Sequence, residues 1–255
     1  MLTTQQLCIR TAQNKTLISD ISIQIQTGSI YGLIGHNGSG KSTLIKALAG
    51  ESKPSDGAIL IDGVSLTSMT VGQLAKSLAY LPQKLPDATH FDVQELVMLG
   101  RYPHQSWLSK PSDEDWAIVK QSMQMTGVTQ FANQAVSTMS GGERARAWLA
   151  MCLAQQTKYL LLDEPLAALD VKYQIEILKL LRKLVDENDL AVVIILHDIN
   201  LATQFCDQLI ALKQGKVCHQ GATQTLMNQA VLQEIFGVQF ELLTHPISGQ
   251  KVAVL

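Results

Sequence analysis

The sequence of 255 residues predicts an α/β fold, a mostly parallel sheet core with an N-terminal antiparallel β layer and an inserted α-helical subdomain. Three observations carry this expectation. Gly35-His36-Asn37-Gly38-Ser39-Gly40-Lys41-Ser42-Thr43 fits G-x-x-x-x-G-K-[ST], with an apolar run before it and a helical pattern after it. Short apolar runs ending at Leu81, Leu162 and Leu196 alternate with amphipathic stretches. Between residues 85 and 157 the strand signal disappears.

Residues 2–30 hold short alternating apolar stretches such as Ile21-Ser22-Ile23-Gln24-Ile25, which is a strand pattern. Ile30–Ile34 reads as a buried strand ending at Gly35, and Thr43–Leu48 as the helix that follows the loop. Asp56-Gly57 and Asp62-Gly63 are turn dipeptides on either side of Ala58–Ile61. Val71–Leu78 is expected to be helical, and Ala79–Leu81 to be a core strand stopped by Pro82. In the strandless stretch, Asp92-Val93-Gln94-Glu95, Ser112-Asp113-Glu114-Asp115 and Ser140-Gly141-Gly142-Glu143 are three helix-opening capping boxes. The first helix should stop at Gly100 and the second at Gly127; Asp113–Asp115 read as solvated charges at a helix N-terminus.

Strands resume with Tyr159–Leu162, which runs into Asp163-Glu164-Pro165. Tyr173–Val185 has the spacing of an amphipathic helix, Leu190–Leu196 that of a fully buried strand, and Ile199–Cys206 that of a helix. Leu209–Leu212 and Lys216–His219 flank Gln214-Gly215 as a hairpin. Met227–Phe236 reads as the last helix, followed by a short β-like tail. The division expected is a core of residues 1–84 and 158–255 around a helical subdomain of residues 85–157.

The glycines of the loop at 35–43 allow backbone N–H groups to turn inward around phosphate oxygens, and a helix N-terminus favours the same charge. Lys41 would reach the β- and γ-phosphates, and the Ser42 hydroxyl would ligate Mg²⁺. In open α/β sheets ligands gather at the carboxyl ends of strands. Four such ends present Gly35, Gln83, Asp163-Glu164 and His197. Asp163 suits Mg²⁺, Glu164 an attacking water, Gln83 both of these, and His197 a γ-phosphate oxygen. Ser140-Gly141-Gly142-Glu143 offers either an ordinary N-cap or a second anion site, the latter sensible if it caps a nucleotide held by another copy.

Composition sets limits. Hydrophobic residues make up 46% and charged residues 16%, with 20 basic and 22 acidic side chains and a net charge of −2. No basic arm or stripe points to nucleic acid. No apolar run approaches the ~20 residues of a membrane span, and no signal-peptide pattern opens the chain, so the chain is expected in the cytosol. Four scattered cysteines without C-x-x-C spacing read as reduced thiols.

These motifs, in this order, resemble the ATPase subunit of ABC transporters. The phosphate loop at 35–42, Gln83, Ser140-Gly141-Gly142-Glu143, Leu160–Glu164, Ala168-Leu169-Asp170 and His197 match the family's six motifs over nearly the whole chain. The resemblance implies a RecA-like P-loop NTPase that uses ATP and Mg²⁺. It implies a homodimer in which two ATP molecules lie head to tail, each between one copy's phosphate loop and the other's Ser140–Glu143, with Asp170 across the interface. Gly100-Arg101-Tyr102-Pro103-His104, Tyr80–Gln83 and Leu196–Asn200 further resemble importers of iron–siderophores, haem and cobalamin. Ferric hydroxamate is the favoured cargo. The implied partners are two permease subunits or one fused permease and, indirectly, a periplasmic or lipoprotein substrate-binding protein. The implied place is the cytoplasmic face of the inner membrane, docked through the helical insertion, the Gln83 region and Arg101–His104.

The family sets an aromatic residue against adenine ahead of the phosphate loop; residues 2–28 contain none, and Tyr31 reads as core. A second class, a soluble ABC ATPase of translation or DNA repair, would call for two cassettes or for coiled-coil or zinc insertions, and this chain shows neither pattern. A phosphoryl-transferring kinase would not need Ser140–Glu143.

Overall fold

The computed structural model describes residues 1–106, 110–247 and 249–255. In chain order it begins with β1 (Leu2–Arg10), β2 (Thr16–Ile21), β3 (Gln24–Ile25), β4 (Ser29–Ile34), α1 (Lys41–Leu48), β5 (Asp56–Ile61) and β6 (Val64–Ser65). Then come α2 (Val71–Ser77), β7 (Leu78–Leu81), α3 (Val93–Met98), α4 (Asp113–Met125), α5 (Gly141–Ala154), β8 (Tyr159–Leu162) and α6 (Val171–Asn188). The chain closes with β9 (Ala191–Ile195), α7 (Ile199–Phe205), β10 (Gln208–Lys213), β11 (Lys216–Ala222), α8 (Thr223–Leu226), α9 (Gln229–Phe236), β12 (Glu241–Thr244) and β13 (Lys251–Val254). Two compact units result, one of Met1–Met69 with Leu184–Leu255 and one of Thr70–Lys183.

The first unit holds the antiparallel layer and a parallel core. β1 pairs antiparallel with β2, β3 and β5, and β5 with β6. The side chains Leu2, Leu7, Ile9, Ile18, Ile21 and Ile25 are buried, with positive φ at Gln6 and Asp20 and register shifts in β1 interrupting the strict alternation. Behind this layer β4 lies between β9 and β10, parallel to both, and β11 closes the edge antiparallel to β10. β9 is buried and apolar along its whole length, and β4 is buried from Ile30 onward. The Gln214-Gly215 turn joins β10 to β11, with positive φ of 50° and 76° at its two residues. β12 and β13 form a separate antiparallel hairpin.

The second unit contains the parallel pair β7 and β8, and helices α3, α4 and α5 packed on one another. All three expected capping boxes form: Asp92 with Glu95, Ser112 with Asp115, and Ser140 with Glu143. A fourth, Thr70 with Gln73, opens α2. Between residues 85 and 157 the described residues contain no strand, only an isolated bridge between Asp92 and Ala135. Residues 107–109 of the expected helical stretch lie outside the described residues.

Four local expectations are corrected. Asp56-Gly57 is the start of β5, not a turn; it lies opposite a register shift in β1 between Gln5 and Cys8. Gly100 does not stop the helix: a 3₁₀ stretch, Leu99–His104, continues it, and the glycine serves a close approach instead, since a Cβ there would meet the Met151 carbonyl oxygen at 2.3 Å. The helix expected from Met227 starts two residues later, at Gln229, because the Asn228 side chain caps it, and the short α8 before it was not expected. Asp115 is not solvated: it is 7% exposed and paired with Arg101, which is 5% exposed and so is no surface contact. Tyr102 beside it is 62% exposed.

Candidate functional site

The phosphate loop is built in the first unit. β4 delivers the chain to Gly35, whose φ of 134° is open to glycine alone in practice. A Cβ there would also meet the Leu212 carbonyl oxygen of β10 at 2.2 Å. Ser39 N–H donates to the His36 carbonyl at 3.2 Å, and Gly215 N–H donates to the Ser39 carbonyl at 2.9 Å, so the hairpin turn braces the loop. Gly40, at φ 108°, is the N-cap of α1, and a Cβ there would meet the Ile18 side chain of β2 at 2.8 Å. Lys41 is 5% exposed; its ammonium donates to the carbonyls of Gly35 at 2.8 Å and His36 at 2.9 Å. His36, Asn37 and Gly38 face solvent, whereas Ser39 is buried and its hydroxyl has no hydrogen-bond partner among the described residues. Ser42 and Thr43 follow in the first turn of α1, half-buried. A buried ammonium and glycines of positive φ at a helix start are the features from which anion cradles are built.

The same unit places His197 two residues beyond β9, exposed to solvent, with Asp198 as the N-cap of α7. Asp198 Oδ1 accepts from the N–H of Asn200 at 2.7 Å and of Leu201 at 3.2 Å.

The second unit brings Gln83, Asp163 and Glu164 together at the ends of β7 and β8. Asp163 is 1% exposed, and its N–H donates to the Leu81 carbonyl at 2.9 Å, which extends the parallel ladder by one residue. Glu164 sits at φ 52°, an uncommon conformation for a glutamate and a form of strain that clusters at working sites. Gln83 Nε2 donates to Glu164 Oε2 at 2.6 Å, a charge-assisted bond that orients the carboxylate.

A third group surrounds the start of α5. Ser140 Oγ accepts from the Glu143 N–H at 3.3 Å, and Glu143 Oε2 accepts from the Ser140 N–H at 2.9 Å and hydroxyl at 2.8 Å. These bonds, the backbone one first, hold the Glu143 carboxyl below its ordinary range. Ser140–Glu143, Ala168, Leu169, Asp170 and Tyr173 line a concavity of about 300 Å³ with Arg146. Asp170 is exposed there. Sequence reasoning had singled out Asp170 but missed Arg146 and Tyr173. The Arg146 guanidinium lies 4.2 Å from the Tyr173 ring centroid, a cation–π contact. The available signal was a basic residue one turn after the capping box.

The cysteines are free thiols, as expected. Burial pushes Cys152 up to about 12, so it is an inert core residue. Among the described residues no cluster of three or more His, Cys, Asp or Glu side chains suits a metal ion.

A phosphate loop opening a helix behind a buried parallel strand, in a mixed α/β chain with a helical portion, defines a P-loop nucleotide-hydrolysing protein. The profile of the ABC transporter family matches residues 18–167, and the chain belongs to that family. It is 39% identical over 246 residues to the achromobactin transport ATP-binding protein of Dickeya dadantii (strain 3937), covering 96% of this chain and 91% of that one. It is 38% identical over 253 residues to the iron(3+)-hydroxamate import ATP-binding protein of Bacillus subtilis (strain 168), covering 99% and 94%. Among solved structures it is similar to the bacterial ABC transporter cassette MJ0796. The dimeric structure gives a TM-score of 0.80 at 25% identity, covering 88% of this chain and 99% of that one. The dimer in a post-hydrolysis state bound to ADP and Pi gives 0.79 at 26%, with the same coverage. The chain is an ATPase, and ATP is its nucleotide.

Proposed function

We propose that the chain is the ATP-hydrolysing subunit of an importer for ferric siderophores, with hydroxamates as the first cargo. The observation that carries this is 38% identity across 99% of the chain to an iron(3+)-hydroxamate import ATP-binding protein. In this reading Lys41 and the loop from Gly35 to Thr43 hold the phosphates, and Glu164 polarises the attacking water. Gln83 orients Glu164, and His197 donates to the γ-phosphate. Mg²⁺ fits the donor chemistry: Ser42, Gln83 and Asp163 offer hydroxyl, amide and carboxylate oxygens, the hard ligands this ion takes. The ion would neutralise charge developing on the phosphoryl oxygens.

Two copies would work head to tail, so that Ser140–Glu143 and Asp170 of one face the nucleotide of the other. Tyr102 and the segment after Gln83 would meet the permease, as two subunits or one fused chain. A periplasmic or lipoprotein substrate-binding protein would act on the far side. Among the described residues no helix is long and apolar enough to cross a membrane, which suits peripheral attachment at the cytoplasmic face of the inner membrane.

The test is a strain lacking this chain, supplied with one iron source at a time. Growth on ferric hydroxamates should be lost, and restored by wild type but not by Lys41→Ala. Unimpaired growth on every siderophore, with a defect only in haem or cobalamin use, would reassign the cargo.

The base should be held weakly. Tyr31 is 7% exposed, and its hydroxyl accepts from the Gln26 N–H at 2.9 Å, so its ring belongs to the core. Stacking on an aromatic ring is worth roughly 1–3 kcal/mol per base. Without it, affinity rests on the phosphates, and GTP should compete with ATP. Side-by-side titrations should place the two within about a hundredfold. A larger preference for ATP would show that another group reads the base.

A further inference from the structure

The last 27 residues of the chain lie beyond every motif named above, yet they touch both nucleotide-facing segments of their unit. The Asn200 amide bonds twice to the backbone of one residue of β13. Its Nδ2 donates to the Ala253 carbonyl at 3.0 Å, and its Oδ1 accepts from the Ala253 N–H at 2.8 Å. An amide side chain thereby continues the hydrogen-bonding edge of the hairpin, as a neighbouring strand would. The main-chain N–H of Asn200 is held at the same time by Asp198 Oδ1. The turn carrying His197 is therefore pinned on both sides. Upstream, Leu196 N–H donates to the Leu33 carbonyl of β4 at 3.3 Å; downstream, α7 is fixed to β13. The second contact is at the other end of the segment. The Phe236 ring meets the His36 ring of the phosphate loop edge to face, with centroids 6.1 Å apart at 71°, and Phe240 backs Phe236 at 5.7 Å.

We propose that the C-terminal segment is a positioning element for ATP hydrolysis, in which Asn200, clamped by Ala253, sets the orientation of His197. The proposal rests on the role assigned to His197 above. Hydrolysis is sensitive to such placement, since a misplacement of about 1 Å can cost about 10²-fold in rate. Binding of the nucleotide is much less so, because Lys41 and the loop amides are untouched. Asn200 acts through another residue and touches no reacting atom.

The test uses the full-length chain, with steady-state ATPase kinetics and the His197 imidazole NMR signal, assigned by its disappearance in His197→Gln. Asn200→Ala removes the clamp from one side. Ala253→Pro weakens it from the other, removing the N–H that donates to Asn200 Oδ1 while the Ala253 carbonyl still accepts from Nδ2. Both variants should lower kcat about tenfold, leave the KM for ATP within about twofold, and shift the His197 signal. Loss of fold alone would instead reduce active protein without moving the His197 signal of the remainder. An unchanged kcat, or a lowered kcat with an unmoved His197 signal, overturns the clamp. An unchanged kcat in His197→Gln would instead remove the role of His197.

Discussion

Glu164→Gln should stop turnover while leaving ATP bound. The side chain stands at the end of β8 on a backbone of φ 52°, with the Gln83 amide 2.6 Å from one carboxylate oxygen. Glutamine keeps the shape and can still accept from Gln83, but it cannot take a proton from water. General-base catalysis is worth about 10²–10⁴-fold, so phosphate release should fall by about 10² or more. ATP affinity should hold, because the phosphate loop is unaltered. A variant that binds without hydrolysing should accumulate as an ATP-bound dimer, visible by size-exclusion chromatography with ATP. Turnover within a few-fold of wild type would remove Glu164 from the chemistry.

Arg101→Ala should be the most destabilising single substitution named here. Arg101 Nε donates to Asp115 Oδ1 at 2.9 Å, and Nη1 donates to the Ala154 carbonyl at 2.8 Å and to Gln156 Oε1 at 3.0 Å. One guanidinium thus joins the 3₁₀ stretch, the start of α4 and the end of α5. Removing it leaves the Asp115 carboxylate buried without its cation and the Ala154 carbonyl short of a donor. Breaking a buried pair on one side costs about 3–5 kcal/mol, measurable by urea unfolding. A loss below about 1 kcal/mol would show that solvent reaches the pair. The same cluster predicts acid sensitivity. Hydrogen bonds from the Ser112 backbone and from Arg101 hold Asp115 at about 2. A carboxyl with a lowered folded value contributes stability that is complete above its unfolded value of about 3.9. That contribution fades as pH falls through about 2. Asp115→Asn should flatten the stability profile across that window.

What the sequence disclosed and what it hid follow from the range of the interactions. The phosphate loop was legible because its strand, glycines and helix are contiguous. The capping boxes were legible for the same reason, since donor and acceptor lie three residues apart. Arg101 was misjudged because its partner lies 14 residues away and stands in a row of acids at a helix start, a pattern that usually means solvent. Asn200 gave no signal, since its partner is 53 residues distant and is backbone. The contact of Gln83 with Glu164 was half legible. Each was expected at a strand end, but only the parallel pairing of β7 with β8 makes those ends neighbours. Gly57 misled because a turn dipeptide and a strand opening opposite a register shift use the same residues.

We propose that ATP hydrolysis at Glu164 drives ferric siderophore import. It is tested most directly by uptake of radiolabelled iron as a ferric hydroxamate, in cells lacking this chain and supplied with wild type or Glu164→Gln at equal abundance. Wild type should restore uptake, and Glu164→Gln should leave it at the level of the deletion. Restoration of uptake by Glu164→Gln, or no deficit in the deletion strain, would contradict the account.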